Sequence, residues 1–93
     1  EALEPVSIAV ALQQAIETGV PLYNAGRADR CGDVYETAIT SILLLAPDQL
    51  SEAQQSRLIG ALQAARRDDS ASARAWTLRR AIDATMLSMN TGD

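Results

Sequence analysis

The chain has 93 residues, 47% of them apolar, with no Phe, one Trp (Trp76) and two Tyr (Tyr23 and Tyr35). That is the size of one domain, residues 1–93, near the lower end of what buries a self-sufficient core. The core must come from Ala, Leu, Ile and Val, which suits close-packed helices and suits a β-sandwich poorly. Net charge is −4 and all eight basic residues are Arg, so the chain lacks the basic footprint that nucleic acid or an anionic membrane requires.

The same inventory bounds the chemistry. Cys31 is the single cysteine, so there is no internal disulfide and no compartment follows from cysteine usage. No apolar run is long enough to span a bilayer. The chain begins at Glu1 and not at Met, as expected of a processed secreted or periplasmic protein or of an excised domain. The Arg-only usage fits a GC-rich coding genome.

Residues 1–5 read as a lead-in, with Pro5 tolerated at a first helical turn. The first helix is expected over about 6–25, with Ile8, Ala11, Leu12, Ala15, Ile16, Gly19, Val20 and Tyr23 on one apolar face. Pro21 should kink it. Gly26 is its natural left-handed stop.

The second helix is expected over 29–46, with Asp29 as N-cap and Cys31, Val34, Tyr35, Ala38, Ile42 and Leu45 on its face. Its end, ILLLA at residues 42–46, is apolar all round, which implies cover on more than one side. Pro47 ends it. Ser51 and Gln54 form a capping box that opens a third helix over 51–66, burying Leu58, Ala61, Leu62 and Ala65. Asp68, Asp69 and Ser70 make a turn with N-cap chemistry. A fourth helix follows over 70–89, with Ala75, Leu78, Ile82, Thr85 and Met89 inward and residues 90–92 closing it. Connections of about two to six residues imply antiparallel neighbours.

Within the stretch from Gly19 to Ala38, Gly19, Cys31, Tyr35 and Ala38 stand at offsets 0, 12, 16 and 19. With Leu22 and Gly26 in place, residues 12–46 resemble one tetratricopeptide (TPR) unit, whose two helices meet through small residues and an aromatic. Gly60, Ser72 and Trp76 echo the first three offsets, and Arg79 stands where the alanine would be. The resemblance implies two TPR-like hairpins, with Gly19 against Cys31, and the protein-binding scaffold role usual for such units.

The candidate chemistry is sparse. Without His there is no Cys–His nucleophile and no His base, and there is no Gly-rich phosphate loop, so the chain is expected not to be an enzyme. Asp29, Asp33 and Glu36 share one side of the second helix but read as a solvated face, not a metal site. Met86 and Met89 read as core, and Cys31 as a small packing residue. Tyr23 and Asn24 sit where a pocket mouth could form, though packing is the expected role of Tyr23.

The sharpest candidates are basic. The Arg66–Arg67 pair with Arg74, Arg79 and Arg80 flanks Trp76 and makes an Arg/Trp surface suited to an acidic peptide or a carboxylate ligand. Arg66, Arg67, Trp76, Arg79 and Arg80 are the five candidate site residues. The competing reading has Arg79 paired with Asp83 at i+4 and the rest solvated, and Arg79 or Arg80 reaching Asp33 or Glu36 across the bundle would be an internal tie. The expectation is an all-α fold of four antiparallel helices. It would serve as a non-catalytic interaction or accessory domain, without cofactor, binding a protein partner or a second copy through an apolar helical face. Apolar surface at Leu43 and Leu44, off the main face, motivates that reading. The alternative is a bundle that binds a small molecule or a metal.

Overall fold

The computed structural model describes residues 5–90, with side chains from residue 8 to residue 89. Its helices are α1 (Pro5–Asn24), α2 (Ala28–Leu45), α3 (Glu52–Ala65) and α4 (Ala71–Asn90), with a 3-10 turn at Pro47–Gln49, and no strand occurs among the described residues. The chain is a small all-α bundle. Of the expected lead-in at residues 1–5, Pro5 belongs to α1, and of the expected close at residues 90–92, Asn90 belongs to α4; residues 1–4 and 91–92 lie outside the described residues.

Helix α1 runs through Pro21 to Asn24. The chain then reverses at Gly26, whose φ of 81° is the left-handed conformation that favours glycine. The Arg27 N–H donates to the Leu22 carbonyl at 2.8 Å and the Gly26 N–H to the Tyr23 carbonyl at 3.0 Å. Those two bonds define a Schellman stop. It leaves no room for the expected Asp29 cap: Arg27 is the N-cap of α2, without a side-chain bond, and Asp29 lies in the first helical turn. There its carboxylate still favours the positive end of the helix dipole.

Helix α3 begins with the expected capping box. The Gln54 N–H donates to Ser51 Oγ at 3.0 Å and the Ser51 N–H to Gln54 Oε1 at 2.8 Å. The buried Gln54 amide also donates to Ser88 Oγ at 2.8 Å, tying the start of α3 to the end of α4. At the opposite end Thr77 donates to Asp68 at 2.8 Å, and Ser70 caps α4 through the Ala73 N–H. These contacts fix α3 and α4 as an antiparallel pair.

Helix α2 packs against both α1 and α4, whereas α3 packs mainly on α4. The α2–α4 pair runs parallel, because the N-terminal half of α2 meets the N-terminal half of α4 through Arg74, Asp33 and Glu36. Leu12, Ile39, Leu58, Leu78 and Ile82 meet between the helices with no exposed surface. Each such side chain contributes about 1.5–3 kcal/mol of burial free energy.

The inward side of α2 is Cys31, Gly32, Tyr35, Ile39 and Ile42. It includes Ile39, which the sequence face omitted, and leaves out Leu45, which is 75% exposed. With partners on two sides, the buried stripe turns toward α4. The ILLLA end is not covered all round either: Ile42 and Ala46 are buried, Leu43 is half-buried, and Leu44 is as exposed as Leu45. Ala11, expected on the α1 face, is also exposed.

Candidate functional site

Three helices converge on a half-open pocket of about 340 Å³. Helix α1 supplies Val20, Tyr23 and Asn24; α2 supplies Cys31 and Tyr35; α4 supplies Ala75, Trp76 and Arg79. Five of these eight residues come from the Gly19–Ala38 stretch, so the spacing that joins α1 to α2 also builds one wall of the site.

Gly19 sets the position of Tyr35. A Cβ at residue 19 would lie 2.6 Å from Tyr35 Cε1 and 2.9 Å from Cζ, inside van der Waals contact. The missing side chain is therefore filled by the tyrosine ring, and Gly19 meets Tyr35 where Cys31 was expected. Small residues at Cys31 and Ala75, both buried, leave space in front of that ring.

The rim is an aromatic pair. Tyr23 and Trp76 meet edge to face, with centroids 6.0 Å apart and planes at 74°, a geometry worth about 0.5–1.5 kcal/mol beyond buried area. The Trp76 indole N–H donates to the Tyr23 hydroxyl at 3.1 Å, and that hydroxyl shares a 2.6 Å hydrogen bond with Ser72. Trp76 is held in place while 45% of its surface stays exposed. The expected packing role of Tyr23 and the pocket mouth beside it are thus both present in one side chain.

Arg79 is the single charged residue on the pocket wall. Its Nε–H is shared by the two carboxylate oxygens of Asp83, at 3.0 and 3.2 Å, the expected i+4 pair. Burial alone would lower the Arg79 pKa, and the bonds to Asp83 and Tyr35 more than restore it. The Tyr35 hydroxyl sits between Cys31 and Arg79. Burial pushes its pKa above the ordinary 10.0, Cys31 adds to the rise, and Arg79 opposes it. At neutral pH the site presents a neutral phenol beside a fixed guanidinium.

The tie from α4 to α2 is made by a different arginine from the two expected. Arg74, not Arg79 or Arg80, donates through Nη2 to Asp33 at 2.9 Å and to Glu36 at 2.7 Å. Its Nη1 reaches the Asp29 carbonyl at 3.4 Å. Gly32 makes this crossing possible, since a Cβ there would stand 2.7 Å from Arg74 Nη1. Glu36 leads in raising the Arg74 pKa. Two of the three α2 carboxylates are therefore engaged by a cation of the chain itself.

Of the five candidate site residues, the structure brings two together, Trp76 and Arg79. Arg66 and Arg67 lie exposed just past the end of α3, and Arg80 is exposed on α4. Sequence reasoning did not place Val20, Cys31, Tyr35 or Ala75 on a pocket. The available signal was the run of polar-tipped residues Tyr23, Asn24, Cys31 and Tyr35 clustered about one hairpin turn. A second, wide-open groove of about 420 Å³ lies between α1 and α2, lined by short residues such as Ala15, Thr18 and Thr37 with no aromatic. No helix among the described residues is long and apolar enough to cross a membrane. No family model, curated protein or solved structure matches the chain.

Proposed function

We propose that this chain is a non-catalytic recognition domain that takes an apolar group of its partner into the pocket under Trp76. The observation that supports this most strongly is the pocket itself: about 340 Å³, walled by Tyr23, Tyr35 and Trp76, with one arginine. That volume falls in the range of roughly 300–1,000 Å³ typical of ligand sites, and apolar walls with one or two polar groups are their usual lining. An exposed, pre-positioned Trp beside an Arg is also the composition of interface hot spots. TPR-like spacing points the same way, because such hairpins usually serve as protein-binding scaffolds.

The alternative, a bundle that binds a free small molecule, draws on the same pocket, whose volume holds one ring and a short chain. The metal version of that alternative is weaker, since Arg74 occupies Asp33 and Glu36.

A fragment screen read by amide NMR tests the proposal. Bound fragments are expected to shift residues 20–24, 31–35 and 75–79 together, and Trp76→Ala should remove the response. Hits confined to the exposed leucines at residues 44 and 45, or no hits, would overturn it.

A further inference from the structure

We infer that the group bound in this pocket is a monocarboxylate on a small apolar or aromatic body. The inference rests on the pocket being the recognition site. The bodies of Val20, Tyr23, Tyr35, Ala75 and Trp76 offer contact area but no charge, so the part of the ligand that fills the space must be apolar. Three aromatic residues in one pocket would also suit a quaternary ammonium group. Arg79 argues against that, because it puts a permanent positive charge on the same wall.

The geometry of Arg79 narrows the choice further. Asp83 takes the Nε–H from outside the pocket lining, at 3.0 and 3.2 Å. That contact fixes the guanidinium plane; one terminal N–H is given to the Tyr35 hydroxyl, and the remaining terminal N–H groups are the donors open to a carboxylate. The Arg79 side chain is 26% exposed, so it is partly desolvated without being sealed off. Beside it the Tyr35 hydroxyl, hydrogen-bonded to Cys31 and Arg79, stays protonated at neutral pH and so sets no negative charge against an incoming anion. A phosphate dianion would need more than one cation, and Asp83 already offsets part of the charge on this one. A single carboxylate matches what remains.

Two sources share this chemistry: a free aromatic or aliphatic acid, and the C-terminal residue of a polypeptide. Isothermal titration calorimetry on the unmodified chain distinguishes them. The probes are 3-phenylpropionate, 3-phenylpropionamide, a trimethylammonium analogue of the same size, and a short peptide ending in phenylalanine with a free or an amidated terminus.

The acid is expected to bind about tenfold or more tightly than the amide, the difference that one charge-assisted contact supplies. Arg79→Met should erase that difference while leaving amide binding within about threefold, because methionine retains the apolar stem. Tighter binding of the free-terminus peptide than of the free acid assigns the carboxylate to a chain terminus, and the reverse assigns it to a small molecule. Equal affinities for acid and amide, or preference for the trimethylammonium probe, overturn the inference and leave the pocket proposal standing. If neither acid nor amide binds while the fragment screen still maps to the pocket, the inference alone falls. If the screen is also silent, both fall. The acid–amide comparison on the unmodified chain keeps the test decisive if Arg79→Met fails to fold.

Discussion

Replacing Gly19 with alanine sets two opposed effects against each other where α1 packs on Tyr35 of α2. In a helix interior the change gains up to about 1 kcal/mol, because alanine loses less backbone entropy. Here the new Cβ would lie 2.6 Å from Tyr35 Cε1, 2.9 Å from Cζ and 3.0 Å from the hydroxyl oxygen. The ring is 2% exposed and cannot swing into solvent. It must move by the better part of an ångström, and the direction open to it is the pocket. Overpacking of this kind costs about 1–3 kcal/mol, so Gly19→Ala should be net destabilising by about 1 kcal/mol. It should also weaken any ligand held in the pocket.

The control is the same substitution in a Tyr35→Leu background. Leucine ends at its Cδ atoms, short of the three atoms that clash, so there Gly19→Ala should stabilise by up to about 1 kcal/mol. The double-mutant cycle, measured by urea unfolding with circular dichroism, should give a coupling of about 2 kcal/mol. The same stabilisation in both backgrounds would refute the claim that the Tyr35 ring occupies the space at Gly19.

Three further outcomes follow from single side chains. Thr85 is fully buried and its hydroxyl oxygen has no hydrogen-bond partner, so Thr85→Val should raise stability by about 1 kcal/mol; a lower urea midpoint would show that the hydroxyl is paired. Arg74 and Glu36, with side chains 22% and 32% exposed, should couple by about 0.5–1 kcal/mol in a double-mutant cycle. That coupling should shrink as salt is added, and a zero value at low salt would remove the tie between α2 and α4. The Tyr35 pKa is raised by folding, so the unfolded chain loses its phenolic proton first as pH rises. Its contribution to stability is present in full below the unfolded value of about 10 and is lost as pH climbs through the folded value. Alkaline unfolding midpoints should therefore fall less steeply in Tyr35→Phe than in the unmodified chain, and identical slopes would contradict the buried phenol.

What the sequence made legible is local chemistry. The Gly26 stop, the Pro47 break and the Ser51–Gln54 box each act within a few residues of themselves, and each lies where the pattern put it. So do the inward residues of α4, among them Ala75, Leu78, Ile82 and Thr85. The misreadings concern relations between elements. Asp29 lost the N-cap because the Schellman stop carries the chain straight into α2. Ile39 is inward and Leu45 outward because α2 has α4 on its other side, and periodicity alone does not say how many partners a helix has.

The candidate site failed and succeeded for the same reason. Which arginine crosses to α2 depends on the register of α4 against Gly32, and that register is fixed by packing, not by spacing. Trp76 and Arg79 were visible as an Arg/Trp cluster within one helix. Their pocket was not, because Tyr35 and Cys31 enter it from α2 and were read only as packing. Those two residues do pack: Cys31 is 1% exposed. The same small and aromatic pair that closes the hairpin also leaves the space in front of it.

Trp76 is the single tryptophan of the chain and stands on the rim of the pocket, so its fluorescence reports on the site directly. A titration of the folded chain with 3-phenylpropionate, run beside a Val20→Phe variant whose larger side chain fills the pocket, tests the central claim. A saturable change in Trp76 emission in the unmodified chain, abolished in Val20→Phe, is the result predicted here. Calorimetric binding with no change at Trp76, or an equal response in Val20→Phe, would place recognition elsewhere on the molecule.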